Sequence, residues 1–220
     1  MIKAIIFDMD GLLIDSEPYW QETERQLFRE LGIEINEQMQ KETFGLRCDE
    51  QIRFWYARFP WKNANFDEME HRYNEAMTDY FHKEASLMEG ARRALDFFNE
   101  KGLPMALASS SNMVLINAFL DRFSFHHYFR EVYSAEFEEF GKPHPAVYLE
   151  TARRLNTDPV NCLALEDSFH GLIAAKAARM KTIAVPEHPD KRFGASDIQL
   201  NSLAELSEEV FNQLNSIPGQ

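Results

Sequence analysis

Residues 5–11 read IIFDMDG, an apolar run that ends in two aspartates spaced two residues apart. The apolar run starts at residue 2 and is typical of a buried β-strand. Because side chains alternate along a strand, Asp8 and Asp10 point to the same side where the strand ends. Two carboxylates beside a core are costly unless a cation or a proton joins them. The stretch therefore predicts a site for a metal ion and a phosphate, although Asp10-Gly11 is also typical of a hairpin turn.

The charge composition limits the partners of this chain. Its 220 residues include 23 Lys and Arg against 36 Asp and Glu, which gives a formal net charge of −13. Such a negative field repels nucleic acids and anionic membrane surfaces, so we expect neither as a partner. A phosphorylated substrate would need a locally positive pocket, made by a cation and a few placed Lys or Arg side chains.

The cysteines and the apolar segments indicate where the protein works. Cys48 and Cys162 are the only cysteines and lie in different regions, which argues against a disulfide framework. No stretch approaches the roughly 18 apolar residues of a membrane span, and the N-terminal apolar run is too short for a signal peptide. We therefore expect a cytoplasmic protein with no membrane attachment, and we expect it to be a monomer.

A helical region follows the first strand. The sequence DSEP at residues 15–18 predicts the start of a helix, and Gly32 is a plausible end. From about residue 18 to residue 82 the periodicity is helical, and no strand is indicated. Aromatic residues are frequent there, which predicts a small helical bundle with its own interior.

From residue 87 onward, helix and strand patterns alternate. The predicted helices are 89–101, 111–122, 145–155, 168–178 and 203–214; the predicted strands are 104–108, 131–133, 162–165, 182–185 and 198–200. This alternation predicts βαβ units and a parallel sheet, which the first strand would join. The expected fold is a doubly wound α/β core of residues 1–15 and 85–220, with residues 16–84 inserted as an α-helical cap.

Polar side chains also follow two other predicted strands. The serines of residues 109–111 come after 104–108, and their hydroxyls with the following helix N-terminus can bind phosphate oxygens. Glu166 and Asp167 follow 162–165 and suit Mg²⁺, which prefers oxygen ligands. Each group also has a structural explanation, since a serine can cap a helix and acidic residues favour a helix N-terminus.

A lysine lies between these two groups in the sequence. Residues 141–145 read GKPHP, where the prolines hold the loop extended and place Lys142 before a helix. A single lysine is a weak signal, because most lysines are solvated surface charges. The order of Asp-x-Asp, Ser, Lys and Glu-Asp, three of them directly after apolar strands, is a much stronger one.

The combined set resembles the haloacid dehalogenase superfamily of phosphohydrolases, in the group with a helical cap inserted after the first strand. The resemblance rests on residues 8–11, Ser109, residues 142–143 and residues 166–167, and it covers essentially the whole chain. Residues 7–20 further resemble the bacterial hexitol- and deoxyglucose-phosphate phosphatases, and they are similar to β-phosphoglucomutase. The resemblance implies a Mg²⁺-dependent phosphatase of small sugar or polyol phosphates.

The same resemblance implies a role for each motif residue. Asp8 would attack phosphorus to form an aspartyl-phosphate, and Asp10 would protonate the leaving alkoxide and then activate water. Mg²⁺ would bind the carboxylates of Asp8 and Asp167 and the backbone carbonyl of Asp10, with Glu166 holding a metal-bound water. The phosphoryl oxygens would be held by three further residues, Ser109, Ser110 and Lys142.

Two cap residues are candidates for substrate selection. Trp20 matches an aromatic residue at the cap opening of the sugar phosphatases, although it is equally consistent with a cap-core residue. Arg47 lies in a segment that resembles a substrate-contacting cap loop of the mutase, although an ion pair with Asp49 or Glu50 would also explain it.

Two rival functions remain at this point. A hexose-phosphate mutase would share every core residue with the phosphatase. A catalytically idle binding protein on the same fold is disfavoured, because the nucleophile and the metal ligands are all retained.

Overall fold

The computed structural model describes residues 1–188 and 190–217, and it places six parallel strands in one sheet. The strands are β1 (Ala4–Phe7), β2 (Met105–Ser109), β3 (Phe129–Ser134), β4 (Cys162–Glu166), β5 (Lys181–Ala184) and β6 (Ile198–Gln199). Their spatial order is β3-β2-β1-β4-β5-β6, so β1 lies at the centre between β2 and β4. This is the doubly wound α/β fold that the sequence predicts, and the strand order reverses beside β1.

The described residues contain nine α-helices, of which the first eight lie between strands and the last follows β6. They are α1 (Glu17–Glu30), α2 (Glu37–Gln40), α3 (Cys48–Arg58), α4 (Phe66–Lys83), α5 (Ala91–Glu100), α6 (Met113–Phe123), α7 (Ala146–Arg154), α8 (Phe169–Ala177) and α9 (Glu208–Ser216). The predicted helix 203–214 is wrong over its first part, where a 3₁₀ turn at Leu203–Glu205 precedes α9. The break occurs because the Ser207 side chain accepts from the Val210 N–H and starts a new helix.

Apolar side chains of β1 alternate between the two faces of the sheet. Ile5 and Phe7 belong to an apolar cluster with residues of α5, α6 and α9, whereas Ala4 and Ile6 pack on the other face with residues of α7 and α8. All four are fully buried. Because both faces of β1 are covered by helices, the strand is apolar throughout, as expected for the centre of a parallel sheet.

The chain turns sharply after β1. Gly11 has a φ of +70°, and its N–H donates to the Ile14 carbonyl. A positive φ at glycine is also typical of a hairpin turn, but no hairpin follows, because β1 pairs in parallel with β2 and β4. Ile14 instead forms an isolated antiparallel bridge with Leu87, so the two ends of the helical insert lie side by side.

Helices α1–α4 pack around an interior of their own. Its buried residues are Leu27, Phe28, Ile35, Ile52, Trp55, Trp61, Met69 and Tyr73. Met77 and Phe81, near the end of α4, pack instead into the large cluster beside the sheet. The division into a cap of residues 16–84 and a core of the remaining residues therefore stays a prediction. Among the described residues, no helix combines the length and the apolar character that crossing a bilayer requires.

Phe98 on α5 gives a test of this packing. It is fully buried and makes edge contacts with Phe7 of β1 and Phe211 of α9, with ring centroids 5.9 Å apart in both pairs. We expect Phe98→Ala to lower the free energy of unfolding by about 3–5 kcal/mol, since it removes buried area and leaves a cavity. Urea denaturation followed by circular dichroism measures this, and a loss below about 1 kcal/mol would contradict the packing described.

Candidate active site

The residues predicted at the strand ends meet in one cavity of about 390 Å³. It lies beyond the carboxyl ends of the central strands, where ligands bind in sheets of this type. Its lining includes Asp8, Asp10, Ser109, Ser110, Lys142, Asp167, Trp20 and Arg47. Glu166 lies behind Lys142, fully buried at the end of β4. The structure therefore brings together, in or directly behind one cavity, every site residue that the sequence predicts.

Lys142 is the centre of the polar contacts in this cavity. Its Nζ donates to Asp8 Oδ1 at 2.5 Å, to Glu166 Oε1 at 2.7 Å and to the Ala108 carbonyl at 3.3 Å. Burial alone would lower the pKa of Lys142, but the charges of Asp8 and Glu166 raise it overall. The ammonium is therefore charged at neutral pH, and both of its ion pairs are buried.

Glu166 is held from its other sides as well. The Tyr148 hydroxyl of α7 donates to Oε1 at 2.5 Å, and the Ser168 hydroxyl donates to Oε2 at 3.1 Å. Gly171 of α8 permits the close approach, because a Cβ there would lie 1.8 Å from Glu166 Oε1. Tyr148 and Gly171 are functional candidates that the sequence pattern does not indicate, because neither residue follows a strand.

Three buried carboxylates surround this lysine and form an acidic cluster. Asp8, Glu166 and Asp167 each place one oxygen within 4.8 Å of the others. Burial raises the pKa of Asp8 and of Asp167, and the neighbouring carboxylates raise both further. With one ammonium against three carboxylates, the ionised cluster has an excess of two negative charges.

This donor set fits a hard divalent cation. All three groups offer carboxylate oxygens, the ligands that Mg²⁺ prefers. Asp167 Oδ1 is buried with no hydrogen-bond partner among the described residues, so it can accept a ligand at that oxygen. A Cβ at Gly11 would lie 2.1 Å from Asp167 Oδ2, so only glycine leaves room for this carboxylate.

Asp10 is held by hydroxyl and indole donors. Ser16 Oγ and Trp20 Nε1, from the start of the helical insert, donate to Oδ1 at 2.7 and 3.0 Å. Ser111 Oγ and Ser109 Oγ, from the end of β2, donate to Oδ2 at 2.8 and 3.3 Å. The sequence pattern indicates no functional role for Ser16. It predicts phosphate binding for Ser111 together with its neighbours, and in the structure the Ser111 hydroxyl donates to Asp10.

Trp20 packs in the interior of the helical insert and also reaches the cavity. Its ring packs against Tyr73 in the interior of α1–α4, with centroids 5.9 Å apart. Its indole N–H faces the cavity and donates to Asp10.

Arg47 lines the cavity and also contacts the core. Its Nη1 donates to the carbonyls of Ala135 and Glu138 at 2.9 and 2.7 Å. It also forms the ion pairs with Asp49 and Glu50 that the sequence left open, at 3.0 and 3.6 Å. Its N–H groups are thus engaged by protein acceptors.

The sequence of residues 5–185 matches the haloacid dehalogenase-like hydrolase family. The chain is 41% identical over 210 residues to hexitol phosphatase B of Escherichia coli strain K12, covering 94% of this chain and 95% of the relative. It is 31% identical to the putative phosphatase YhcW of Bacillus subtilis strain 168, covering 98% and 99%. A solved β-phosphoglucomutase of Clostridium difficile has the same fold, with a TM-score of 0.86, 23% identity and 98% coverage of both chains.

The sheet, the strand-end site and these matches define the class of the protein as a phosphoric monoester hydrolase. The chain belongs to the haloacid dehalogenase-like hydrolase family.

The raised pKa of Asp8 predicts a stability that depends on pH. Burial is the main cause, and it raises the pKa of the Asp8 carboxyl from 3.8 to about 8. Between these values the folded state binds more protons than the unfolded state, so stability falls as the pH rises through this window. In metal-free buffer we therefore expect Asp8→Asn to raise the melting temperature at pH 8 by about 3 °C or more, and by less at pH 5.

Differential scanning fluorimetry at both pH values measures the difference. Added Mg²⁺ should stabilise the wild type more than the variant, because a ligand stabilises the state that binds it. A variant that melts at or below the wild type at pH 8 would contradict the destabilising burial of Asp8.

Proposed function

We propose that the chain is a Mg²⁺-dependent phosphatase of small sugar or polyol phosphate monoesters that works through an aspartyl-phosphate. The observation that carries the proposal is the pairing of Asp8 with the buried Lys142 at the floor of a cavity with polar walls. The name of the hexitol phosphatase relative supports the substrate class. A monomeric state and a cytoplasmic location stay predictions from the sequence.

In the first step Asp8 acts as the nucleophile. One carboxylate oxygen attacks phosphorus while the bond from phosphorus to the ester oxygen breaks. The charge of Lys142 favours the ionised form of Asp8 and opposes the effect of burial, and its ammonium is placed to hold a phosphoryl oxygen. Ser109 and the backbone of Ser110 would hold the other phosphoryl oxygens at the N-terminal end of α6.

Asp10 would serve as acid and then as base. As a carboxylic acid it gives its proton to the departing alkoxide, and as a carboxylate it then takes a proton from water. That water attacks phosphorus, the bond to Asp8 breaks, and inorganic phosphate and free Asp8 result. The donors from Ser16, Trp20 and Ser111 fix the carboxyl group of Asp10 in place.

The carboxylate oxygens of this site suit a hard divalent cation, and we propose that this cation is Mg²⁺. We propose that it is held by the carboxylates of Asp8 and Asp167 and by the Asp10 backbone carbonyl, with Glu166 beside them. When bound, it supplies positive charge that offsets the negative charge of the phosphoryl oxygens.

The wall on the side of the helical insert suits a substrate with hydroxyl groups. It includes Glu17, Gln21, Gln40, Gln51 and Asn74, which donate or accept hydrogen bonds. The engaged guanidinium of Arg47 supports a phosphatase over a mutase, which needs a second phosphate site.

A phosphate-release screen tests this function. We expect hexose and hexitol phosphates to be hydrolysed with kcat/KM about tenfold or more above nucleotide phosphates, with activity lost in EDTA and restored by Mg²⁺. Asp8→Asn is the control and should abolish turnover, because its amide cannot act as the nucleophile. Activity that survives EDTA would remove the metal from the proposal. Release that depends on added hexose bisphosphate would point to the mutase.

Asp10→Asn separates the acid role from metal binding, since the backbone carbonyl remains. A sugar alkoxide needs a proton to leave, whereas p-nitrophenolate does not. We expect the variant to lose about 10²–10⁴-fold in kcat on a sugar phosphate and far less on p-nitrophenyl phosphate. Equal losses on the two substrates in a steady-state assay would argue against the acid role.

A further inference from the structure

One segment of the helical insert contacts the loops that follow β2 and β3 and the first turn of α8, which follows β4. We call residues 43–50 the docking segment. Its Gly45 carbonyl accepts from Ser110 Oγ at 3.0 Å, and its Phe44 carbonyl bonds to His170 Nδ1 at 2.7 Å. Arg47 donates to the Ala135 and Glu138 carbonyls in the loop after β3. The docking segment is therefore fixed to the loops that carry the site residues.

Glu50 makes a further contact to the loop after β3. Its Oε1 accepts from the Gly141 backbone N–H at 2.8 Å, and the Arg47 guanidinium lies 3.6 Å from the same oxygen. The other oxygen, Oε2, is buried with no hydrogen-bond partner among the described residues. Burying a carboxylate in this way is costly. Its bond to a backbone N–H is charge-assisted and stronger than a neutral one.

Gly141 is shaped for this contact. A Cβ at residue 141 would lie 2.3 Å from Glu50 Oε2 and 2.9 Å from Arg47 Cγ. Its φ is not among the positive values of the chain, so the lack of a side chain serves close approach rather than an unusual backbone. The Arg47–Glu50 pair and Gly141 therefore fit together only while residue 141 stays glycine.

The residue after Gly141 is Lys142, the ammonium between Asp8 and Glu166. A hydrogen bond at Gly141 N is thus one residue away from the group that holds Asp8. Glu50 is absent from the described residues that line the cavity, and its hydrogen bond to the Gly141 N–H is its direct link to the loop that carries Lys142. Misplacing a catalytic group by about 1 Å can cost 10²-fold in rate.

We propose that Glu50, supported by Arg47, is a positioning residue that fixes the Gly141-Lys142 backbone and thereby the Lys142 ammonium against Asp8. The inference rests on the proposed phosphatase function. It assigns Glu50 an effect on the phosphoryl group, which all substrates share, rather than on the part of the substrate that differs.

The variants Glu50→Ala, Glu50→Gln and Gly141→Ala test this role. Glu50→Ala should lower kcat about tenfold on both a sugar phosphate and p-nitrophenyl phosphate, because both need Lys142. Glu50→Gln should stay within about threefold of the wild type, since its amide oxygen still accepts from Gly141 N–H. Gly141→Ala should match Glu50→Ala, and the double variant should be no worse than either, as for two residues acting through one contact.

Glu42→Ala is the matched control. Glu42 also pairs with an arginine of the insert, Arg58 at 2.9 Å, but this pair is exposed. Its loss should leave kcat unchanged. If Glu50→Ala only lowers the melting temperature and leaves kcat at the wild-type value, the positioning role is wrong. A loss on the sugar phosphate alone would also overturn it, because it would indicate substrate selection.

Two readouts without turnover separate this inference from the proposed function. Glu50→Ala should speed hydrogen exchange in the peptide of residues 135–145, and it should weaken binding of inorganic phosphate about tenfold by calorimetry. If the wild type releases phosphate from no ester, the proposed function falls, and the phosphate affinities alone then decide the role of Glu50. Equal affinities of the wild type and Glu50→Ala would overturn it.

Discussion

The buried ammonium of Lys142 is the interaction on which the rest of the site depends. It is 2% exposed and contacts two carboxylates, and without it Asp8 and Glu166 would be like charges buried side by side. Removing this ammonium is expected to be strongly destabilising, because it would leave two uncompensated carboxylates in a medium of low dielectric constant. The same ammonium favours the ionised form of Asp8, which a nucleophile requires. The Lys142 side chain therefore both stabilises the buried carboxylates and favours the reactive form of Asp8.

The positive and negative charges at this site do not balance. One ammonium faces three buried carboxylates, and Asp167 Oδ1 has no hydrogen-bond partner among the described residues. A folded protein pays for such an arrangement in stability unless something else binds there. The unbalanced charges of the site thus lower the stability of the fold, and such locally destabilising arrangements are typical of functional sites.

The sequence was sufficient for those parts of the structure that depend on local patterns. The apolar run before Asp8 and the strand-end carboxylates at residues 166–167 predicted the sheet and the acidic cluster, because each signal lies within a few residues. The predicted start of α9 is wrong, because the Ser207 side chain accepts from the Val210 N–H and begins a new helix that the apolar periodicity does not indicate.

Contacts between distant elements were beyond the sequence. Tyr148 and Gly171 lie on helices and contact Glu166 only once α7 and α8 have packed on the sheet. The ion pairs of Arg47 with its acidic neighbours could be predicted, because those residues lie within three positions of it in the sequence. Its hydrogen bonds to the Ala135 and Glu138 carbonyls could not, because they join segments about 90 residues apart. The spacing of residues along the chain does not predict contacts between segments this far apart.

The central position of β1 has a consequence for the order in which a growing chain can fold. Of the six described strands, β1 leaves the ribosome first, yet its neighbours β2 and β4 begin at residues 105 and 162. Helices α1–α4 are complete before either neighbour exists, and their contacts are local, so they can form first. Asp8 meets Lys142 only after 134 further residues have been made. In the nascent protein the helical insert can therefore fold early, whereas the contact between Asp8 and Lys142 in the active site forms later.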